Sequence, residues 1–219
     1  MSFDTLLFDV DDTLYPSTIG IWQAIGVRMD EYIMTHLGVE KENVRGLRDG
    51  LWHEYGTTLR GLKIRYDIDE REFLDFVHDI PIESFLRNDE MLLRTLEMYA
   101  ERKVIFTNAN QRHAERVIAA LGLNGTFDQI IDIIQISPYC KPYPEAYAKA
   151  QVLANIRNPE NCIVIDDAAR NLETAHQLGF LTIQVGTETR APHADAAVLS
   201  LYDLPDVLPV SRTSVGERV

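Results

Sequence analysis

Leu6-Leu7-Phe8-Asp9-Val10-Asp11-Asp12-Thr13-Leu14 is the stretch on which the reading of this chain turns. Its apolar start reads as a short buried parallel strand, and its end sets two carboxylates two positions apart with a third directly behind. Side chains alternate along a strand, so Asp9 and Asp11 can face the same side where the chain leaves the sheet. Two anions held that close repel, and the pair persists only if a cation sits between them or one keeps its proton. Both solutions serve chemistry: a cation-bound Asp9 can attack an electrophile, and a protonated Asp11 can donate to a leaving group and later take a proton from water. Taken alone, the same residues also read as an acidic turn in solvent, or as a helix N-cap supplied by Asp11, Asp12 or Thr13.

Working outward, apolar runs recur at Thr5 to Phe8, Lys103 to Phe106, Gln129 to Ile134, Cys162 to Ile165 and Leu181 to Val185. Helical patterns lie between the later ones: Gln111 to Leu121 stopping at Gly122, Pro144 to Ala154 opening on a proline, and Ala168 to Leu178 stopping at Gly179. This alternation predicts an α/β fold, a doubly wound, Rossmann-like parallel sheet with ligands at the carboxyl ends of its strands. Residues 17–86 break the rhythm, with several helical patterns and no convincing strand. Ile19 to Leu37 is amphipathic, and Lys41 to Tyr55 and Asp69 to His78 supply further helices around breaks at Gly56 and Gly61. The expected organisation is a catalytic core from 1–16 and 87–219, re-entered through a helix over Asp89 to Tyr99, with a helical cap over 17–86. The polar tail after Pro209 is expected to be poorly ordered.

The other chemistry-bearing residues fall at strand ends. Thr107, Asn108 and Asn110 follow the second strand and precede a helix, so a hydroxyl, an amide and free backbone N–H groups make a phosphate cradle or simply a helix cap. Lys141 stands before Pro142, Tyr143 and Pro144, either as a surface charge or as a point charge on a phosphate. Asp166 and Asp167 close the fourth strand, with Arg170 and Asn171 behind. An aspartate approaching a phosphate dianion meets repulsion of ~4 kcal/mol per unit charge pair at 4 Å and an effective dielectric near 20. A divalent cation and Lys141 would offset it. Carboxylate and carbonyl oxygens favour Mg²⁺, whereas a His- or Cys-rich set would favour zinc.

Composition sets the limits. Of 219 residues, 34 are acidic and 21 basic, a net charge of -13 that argues against polymeric nucleic acid or an anionic membrane as partner and leaves room for a small anionic ligand. Cys140 and Cys162 lack metal-type spacing and read as small core residues. The start lacks a secretion-type signal and no stretch of ~18 apolar residues occurs, so a cytoplasmic setting is expected.

In order, Asp9-Val-Asp11-Asp12-Thr13, Thr107-Asn108, Lys141-Pro-x-Pro and Asp166-Asp167 closely resemble the four motifs of the haloacid dehalogenase-like hydrolase superfamily. The resemblance covers nearly the whole chain. It implies an Asp9 nucleophile forming an aspartyl-phosphate and Asp11 as acid/base. It also implies Mg²⁺ held by Asp9, the Asp11 carbonyl and Asp167, with Asp166 supporting or sharing the last role, and Thr107, Asn108 and Lys141 on the phosphoryl group. The helical insertion is similar to the cap of the superfamily's first subclass. Leu14-Tyr15-Pro16 and Glu54-Tyr55-Gly56-Thr57-Thr58-Leu59-Arg60-Gly61-Leu62 look like the pyrimidine 5'-nucleotidases. Ala168 departs from the pattern, since many relatives carry Ser there.

On that resemblance, Trp22, His53 and Tyr55 could border a base, and Thr57, Thr58 and Arg60 could contact ribose or base edges, although Trp22 and Tyr55 could equally pack within the cap. The implied function is a Mg²⁺-dependent phosphomonoesterase for pyrimidine nucleoside 5'-monophosphates. Other small phosphate esters, a phosphomutase and a non-catalytic phosphometabolite-binding protein remain alternatives. A haloacid dehalogenase is disfavoured, because that branch needs neither Asp11 nor Mg²⁺.

Overall fold

A computed structural model describes residues 3–210. Its six strands are β1 (Thr5–Phe8), β2 (Arg102–Phe106), β3 (Gln129–Ile131), β4 (Cys162–Asp166), β5 (Leu181–Val185) and β6 (Ala196–Val198). They form one parallel sheet in the order β3-β2-β1-β4-β5-β6. The expected α/β, doubly wound fold is the one found. Strands β1 and β4 are neighbours, yet the chain visits β2 and β3 between them, so the order reverses at that pair. A crevice opens there beyond the strand ends.

Both sheet faces are buried, and alternation divides the core accordingly. Leu6, Phe8, Ile163 and Ile165 pack into one cluster, while Leu7, Cys162 and Val164 pack into another. The first face carries α6 (Glu90–Glu97), through Leu92 and Leu96, and α7 (Gln111–Ala120), through Ala114 and Val117. The second carries α9 (Pro144–Leu153), through Ala146 and Tyr147, and α10 (Ala169–Gln177), through Leu172 and Ala175. Cys140 and Cys162 are both free and buried.

Between β1 and α6 the chain forms α1 (Ile21–Leu37), α2 (Lys41–Tyr55), α3 (Thr58–Tyr66), α4 (Glu70–Val77) and the short α5 (Ile82–Phe85). Here the structure corrects the glycine reading. Gly56, at φ +81°, does end α2, but Gly61 lies inside α3. A Cβ on Gly61 would stand 2.7 Å from Leu51 Cδ2 and 2.9 Å from Tyr55 Cδ2, so glycine lets α3 lie against α2. Thr57 starts α3 by accepting a hydrogen bond from Arg60 N–H at 3.1 Å.

The third strand stops at Ile131 rather than Ile134. Asp132 opens a capping box with Gln135 and turns the chain into the one-turn α8 (Ile133–Ile136). The edge strand β6 and the final short helix α11 (Leu204–Val207) had no strong pattern. The tail expected to be poorly ordered lies, from residue 211 on, outside the described residues. Among the described residues no helix is long and apolar enough to cross a membrane.

Candidate active site

The register of the central strands assembles the site. Phe8 pairs with Ile105 on one side and with Ile165 on the other. The next residue, Asp9, donates its N–H to the Ile165 carbonyl at 2.9 Å. One strand step thus brings Asp9, Thr107, Asp166 and Asp167 to a single edge.

Lys141 sits beneath them, 1 % exposed, with Nζ 3.0 Å from Asp9 Oδ1 and 2.6 Å from Asp166 Oδ2. A burial of that depth is tolerable only because the ammonium is paired. The two carboxylates hold its proton well above the ordinary lysine range, overcoming the opposing effect of burial. Asn108 fixes the lysine's main chain: its Oδ1 accepts from Lys141 N–H at 2.8 Å, and its Nδ2 donates to the Lys141 carbonyl at 2.9 Å. The Asn108 amide therefore works as a splint between the second and third motifs.

The two adjacent aspartates differ. Asp166 Oδ1 accepts from Ala168 N–H and Asn171 Nδ2, both at 2.9 Å, and its Oδ2 accepts from Lys141 and again from Asn171 at 3.0 Å. Its oxygens are spent on the protein. Asp167 lines the cavity, and among the described residues its carboxylate meets the Thr13 hydroxyl, which donates to Oδ1 at 3.3 Å and accepts from Asp167 N–H at 3.1 Å. Burial and the neighbouring Asp166 push the Asp167 carboxyl up to about 7 against the pull of Lys141. Asp9 is raised as well, chiefly by burial and also by Asp166, Asp167 and Asp11, with Lys141 opposing.

Asp11 behaves differently from a carboxyl that keeps its proton. Burial alone would raise it, but His113 and the Tyr15 hydroxyl outweigh that and hold it at about 2. His113 Nε2 lies 2.7 Å from Oδ1, and Tyr15 donates to the same oxygen. The cation that answers the Asp9–Asp11 repulsion is thus Lys141 on one side, with an imidazole on the other. Asp12, at φ +59°, turns the chain away, and its Oδ1 is buried without a hydrogen-bond partner among the described residues.

One oxygen each from Asp9, Asp166 and Asp167 lie within 4.8 Å of one another. Hard carboxylate donors gathered that closely, two of them proton-loving, fit a divalent cation such as Mg²⁺.

A cavity of about 250 Å³ opens over these groups. Its lining joins Asp9, Asp11, Thr107, Asn108 and Asp167 from the sheet edge with Trp22, Trp52, Thr57 and Thr58 from the helices between β1 and α6. His53, Tyr55 and Arg60 are not among the lining residues. His53 is exposed beside the Trp52 ring, and Tyr55 accepts from Arg65 Nε at 3.2 Å. Arg60 lies 4.7 Å over the Tyr143 ring, its Nε and Nη1 buried without hydrogen-bond partners among the described residues. Sequence reading passed over Trp52, one residue before His53. It also left Arg170 without a role. The Arg170 guanidinium stacks 3.9 Å over Trp52 and donates to the Gly56 carbonyl at 2.8 Å. Tyr15 and His113 were missed as well; an Asp11-to-Tyr15 spacing of four residues was the one local hint.

The sequence profile of the haloacid dehalogenase-like hydrolases matches residues 3–179. The chain belongs to that family. Among curated proteins it is 26% identical over 187 residues to phosphate metabolism protein 8 of Saccharomyces cerevisiae (strain ATCC 204508 / S288c), a match over 79% of this chain. The chain spans 58% of that relative's length. Among solved structures, the HAD phosphatase from Thermococcus onnurineus superposes with a TM-score of 0.64 at 17% identity, over 96% of this chain and 100% of that one. The putative HAD-hydrolase YfnB from Bacillus subtilis, bound to magnesium, gives 0.62 at 17% identity with the same coverage. Both likenesses are of fold. The hydrolase described here shares with them the parallel sheet at whose carboxyl edge the Asp9 cluster lies.

Proposed function

We propose that this hydrolase is a Mg²⁺-dependent phosphomonoesterase of pyrimidine nucleoside 5'-monophosphates. One observation carries the reading: Asp9 and Asp11 line the same cavity as Trp22 and Trp52, so a reactive carboxylate pair and two aromatic faces share one small-molecule space. Residues 17–86 act as the cap that supplies those faces, and 1–16 with 87–219 form the catalytic core.

Asp9 and Asp167, with the Asp11 carbonyl, would hold the metal, because Asp166 has given its oxygens to Lys141, Asn171 and Ala168. When bound, Mg²⁺ would offset the negative charge gathered there. The Asp9 carboxylate attacks phosphorus, forming an aspartyl-phosphate as the P–O bond to the nucleoside breaks. Asp11 gives its proton to the departing oxygen. It acquires that proton because a phosphate dianion alongside disfavours its ionised form. In the second step Asp11 takes a proton from water, the water oxygen bonds phosphorus, and the Asp9–phosphorus link breaks to release phosphate. Lys141 holds Asp9 in line, and the Thr107 hydroxyl, which already accepts from Ala109 N–H at 3.0 Å, donates to a phosphoryl oxygen.

The test is phosphate release from UMP, CMP, AMP, GMP, a sugar phosphate and phosphoglycolate, with and without Mg²⁺, using Asp9→Asn as the blank. Selective, Mg²⁺-dependent release from UMP and CMP is expected. Release from other esters alone would discard the nucleotide reading and keep the phosphatase. No release, or a long-lived aspartyl-phosphate, would overturn the phosphatase reading itself.

A further inference from the structure

His113 is a buried titratable group for which the steps above have no use. It is fully enclosed in the first turn of α7, and its N–H donates to Asn110 Oδ1 at 3.0 Å, which fixes the backbone under the ring. The ring is stacked on His78, centroids 4.3 Å apart at 24°. His78 is itself held by a 3.1 Å contact between its Nδ1 and Asn110 Oδ1. Asn110 therefore holds the His78 ring from the helical insertion and the His113 backbone from the core.

The proton on the His113 ring can be placed. Nδ1 is buried and meets no hydrogen-bond partner among the described residues, while Nε2 lies 2.7 Å from Asp11 Oδ1. A bare ring nitrogen in an apolar site costs less than an orphaned N–H, and a carboxylate oxygen needs a donor. Nε2 thus carries the hydrogen and gives it to Asp11. Tyr15 donates to that same Oδ1. Both bonds fall on one oxygen of the carboxylate, which leaves Oδ2 for a substrate oxygen at the cavity.

We infer that His113 is a positioning residue: with Tyr15 it clamps Oδ1 of Asp11, so that the carboxyl presents Oδ2 to the leaving group. This rests on the acid/base role proposed for Asp11. A carboxyl free to rotate spends only part of its time in line, and misplacement by about 1 Å costs ~100-fold in rate. Tyr15 remains after His113 is removed, so the loss should stay below the ~100- to 10,000-fold contributed by the acid/base group itself.

The discriminating pair is His113→Gln, whose amide reaches the former Nε2 position, and His113→Asn, whose amide stops short. Both are polar and of similar burden to the fold, which thermal unfolding checks. The assay compares UMP, an alkyl ester needing a protonated leaving group, with p-nitrophenyl phosphate, which does not, alongside wild type and Asp11→Asn. His113→Asn should lose about 10- to 100-fold in kcat on UMP with little change in KM, and far less on p-nitrophenyl phosphate. His113→Gln should recover most of the loss. Equal losses on both esters, or no recovery in a folded His113→Gln, would overturn the positioning role. If Asp11→Asn alone spares p-nitrophenyl phosphate, the inference fails while the acid/base reading stands. If Asp11→Asn also loses both equally, the leaving-group role of Asp11 fails and takes the inference with it. In the wild-type protein a ¹⁵N imidazole spectrum should show hydrogen on His113 Nε2, and a bare Nε2 would overturn the inference without recourse to any variant.

Discussion

Replacing Lys141 with methionine keeps the length of the side chain and deletes its charge, and the surroundings allow the consequence to be sized. The ammonium is 1 % exposed and meets Asp9 at 3.0 Å and Asp166 at 2.6 Å. At an effective dielectric near 20 each contact is worth about 6 kcal/mol of gross attraction. Most of that offsets desolvation, and removing one member of a buried pair typically costs about 3–5 kcal/mol net. The larger part of a small protein's stability margin would go. Without Lys141, Asp9, Asp166 and Asp167 face one another with no cation between them.

The pH dependence follows with a definite sign. Asp9 and Asp167 both have folded pKa values above the unfolded one, Asp167 at about 7. The folded chain then binds more protons than the unfolded chain between about pH 4 and these values, so in metal-free protein stability falls as pH rises through that window. Lys141 is the one neighbour pulling both groups down, so Lys141→Met should steepen the slope. The variant is expected to lose about 3–5 kcal/mol at pH 8, clearly less at pH 5, and to recover part of the loss on adding Mg²⁺. Urea unfolding at the two pH values, with and without Mg²⁺, measures all three quantities. A loss independent of pH, or none at pH 8, would refute the view that Lys141 is the counter-charge of this cluster.

Asp9→Asn should abolish phosphate release while leaving the urea midpoint at or above wild type in metal-free buffer, since it removes one of the repelling carboxylates; near-normal release would remove Asp9 as nucleophile. Asp167→Asn should weaken the Mg²⁺-induced rise in thermal midpoint far more than it disturbs the metal-free fold, and calorimetric titration showing unchanged Mg²⁺ affinity would contradict its choice over Asp166. Trp52→Ala should raise KM for UMP by about 10-fold, as expected for ~1–3 kcal/mol of base stacking, while sparing p-nitrophenyl phosphate; equal effects on both would return Trp52 to a purely structural role. Gly61→Ala gains about 1 kcal/mol of helix propensity but drives a Cβ to 2.7 Å from Leu51, so a net destabilisation of about 1–2 kcal/mol should appear in urea unfolding.

The core was legible because its information is local. The central strands are short apolar runs, β1, β2 and β4 carry their chemical groups at their ends or within two residues of them, and a parallel sheet brings such ends to one edge whatever the loops do. Gly122 and Gly179 do follow α7 and α10, as a stop signal should. What could not be read was relational. Gly61 looks like a breaker until α2 lies against α3, and only then does the missing Cβ become a packing requirement. Trp52 and His53 are adjacent in sequence but about 100° apart around α2, and composition does not say which faces the cavity. His113 is 102 residues from Asp11, and only the packing of α7 against the sheet brings them together.

Asn108 and Asp166 show the same limit within motifs that were read. Both are polar residues at the reactive edge, and type and spacing alone make both candidates for direct contact with phosphate or metal. The structure ties each of them to Lys141, one at its backbone and one at its ammonium. A cation 1 % exposed cannot be left to its own side-chain entropy, because a shift of an ångström would unpair a buried charge. The edge therefore holds polar residues whose side chains face the cavity, Asp9, Asp11, Thr107 and Asp167, together with residues that hold a lysine still behind it. Asn108 belongs to both groups, since it bonds the Lys141 main chain and also lines the cavity.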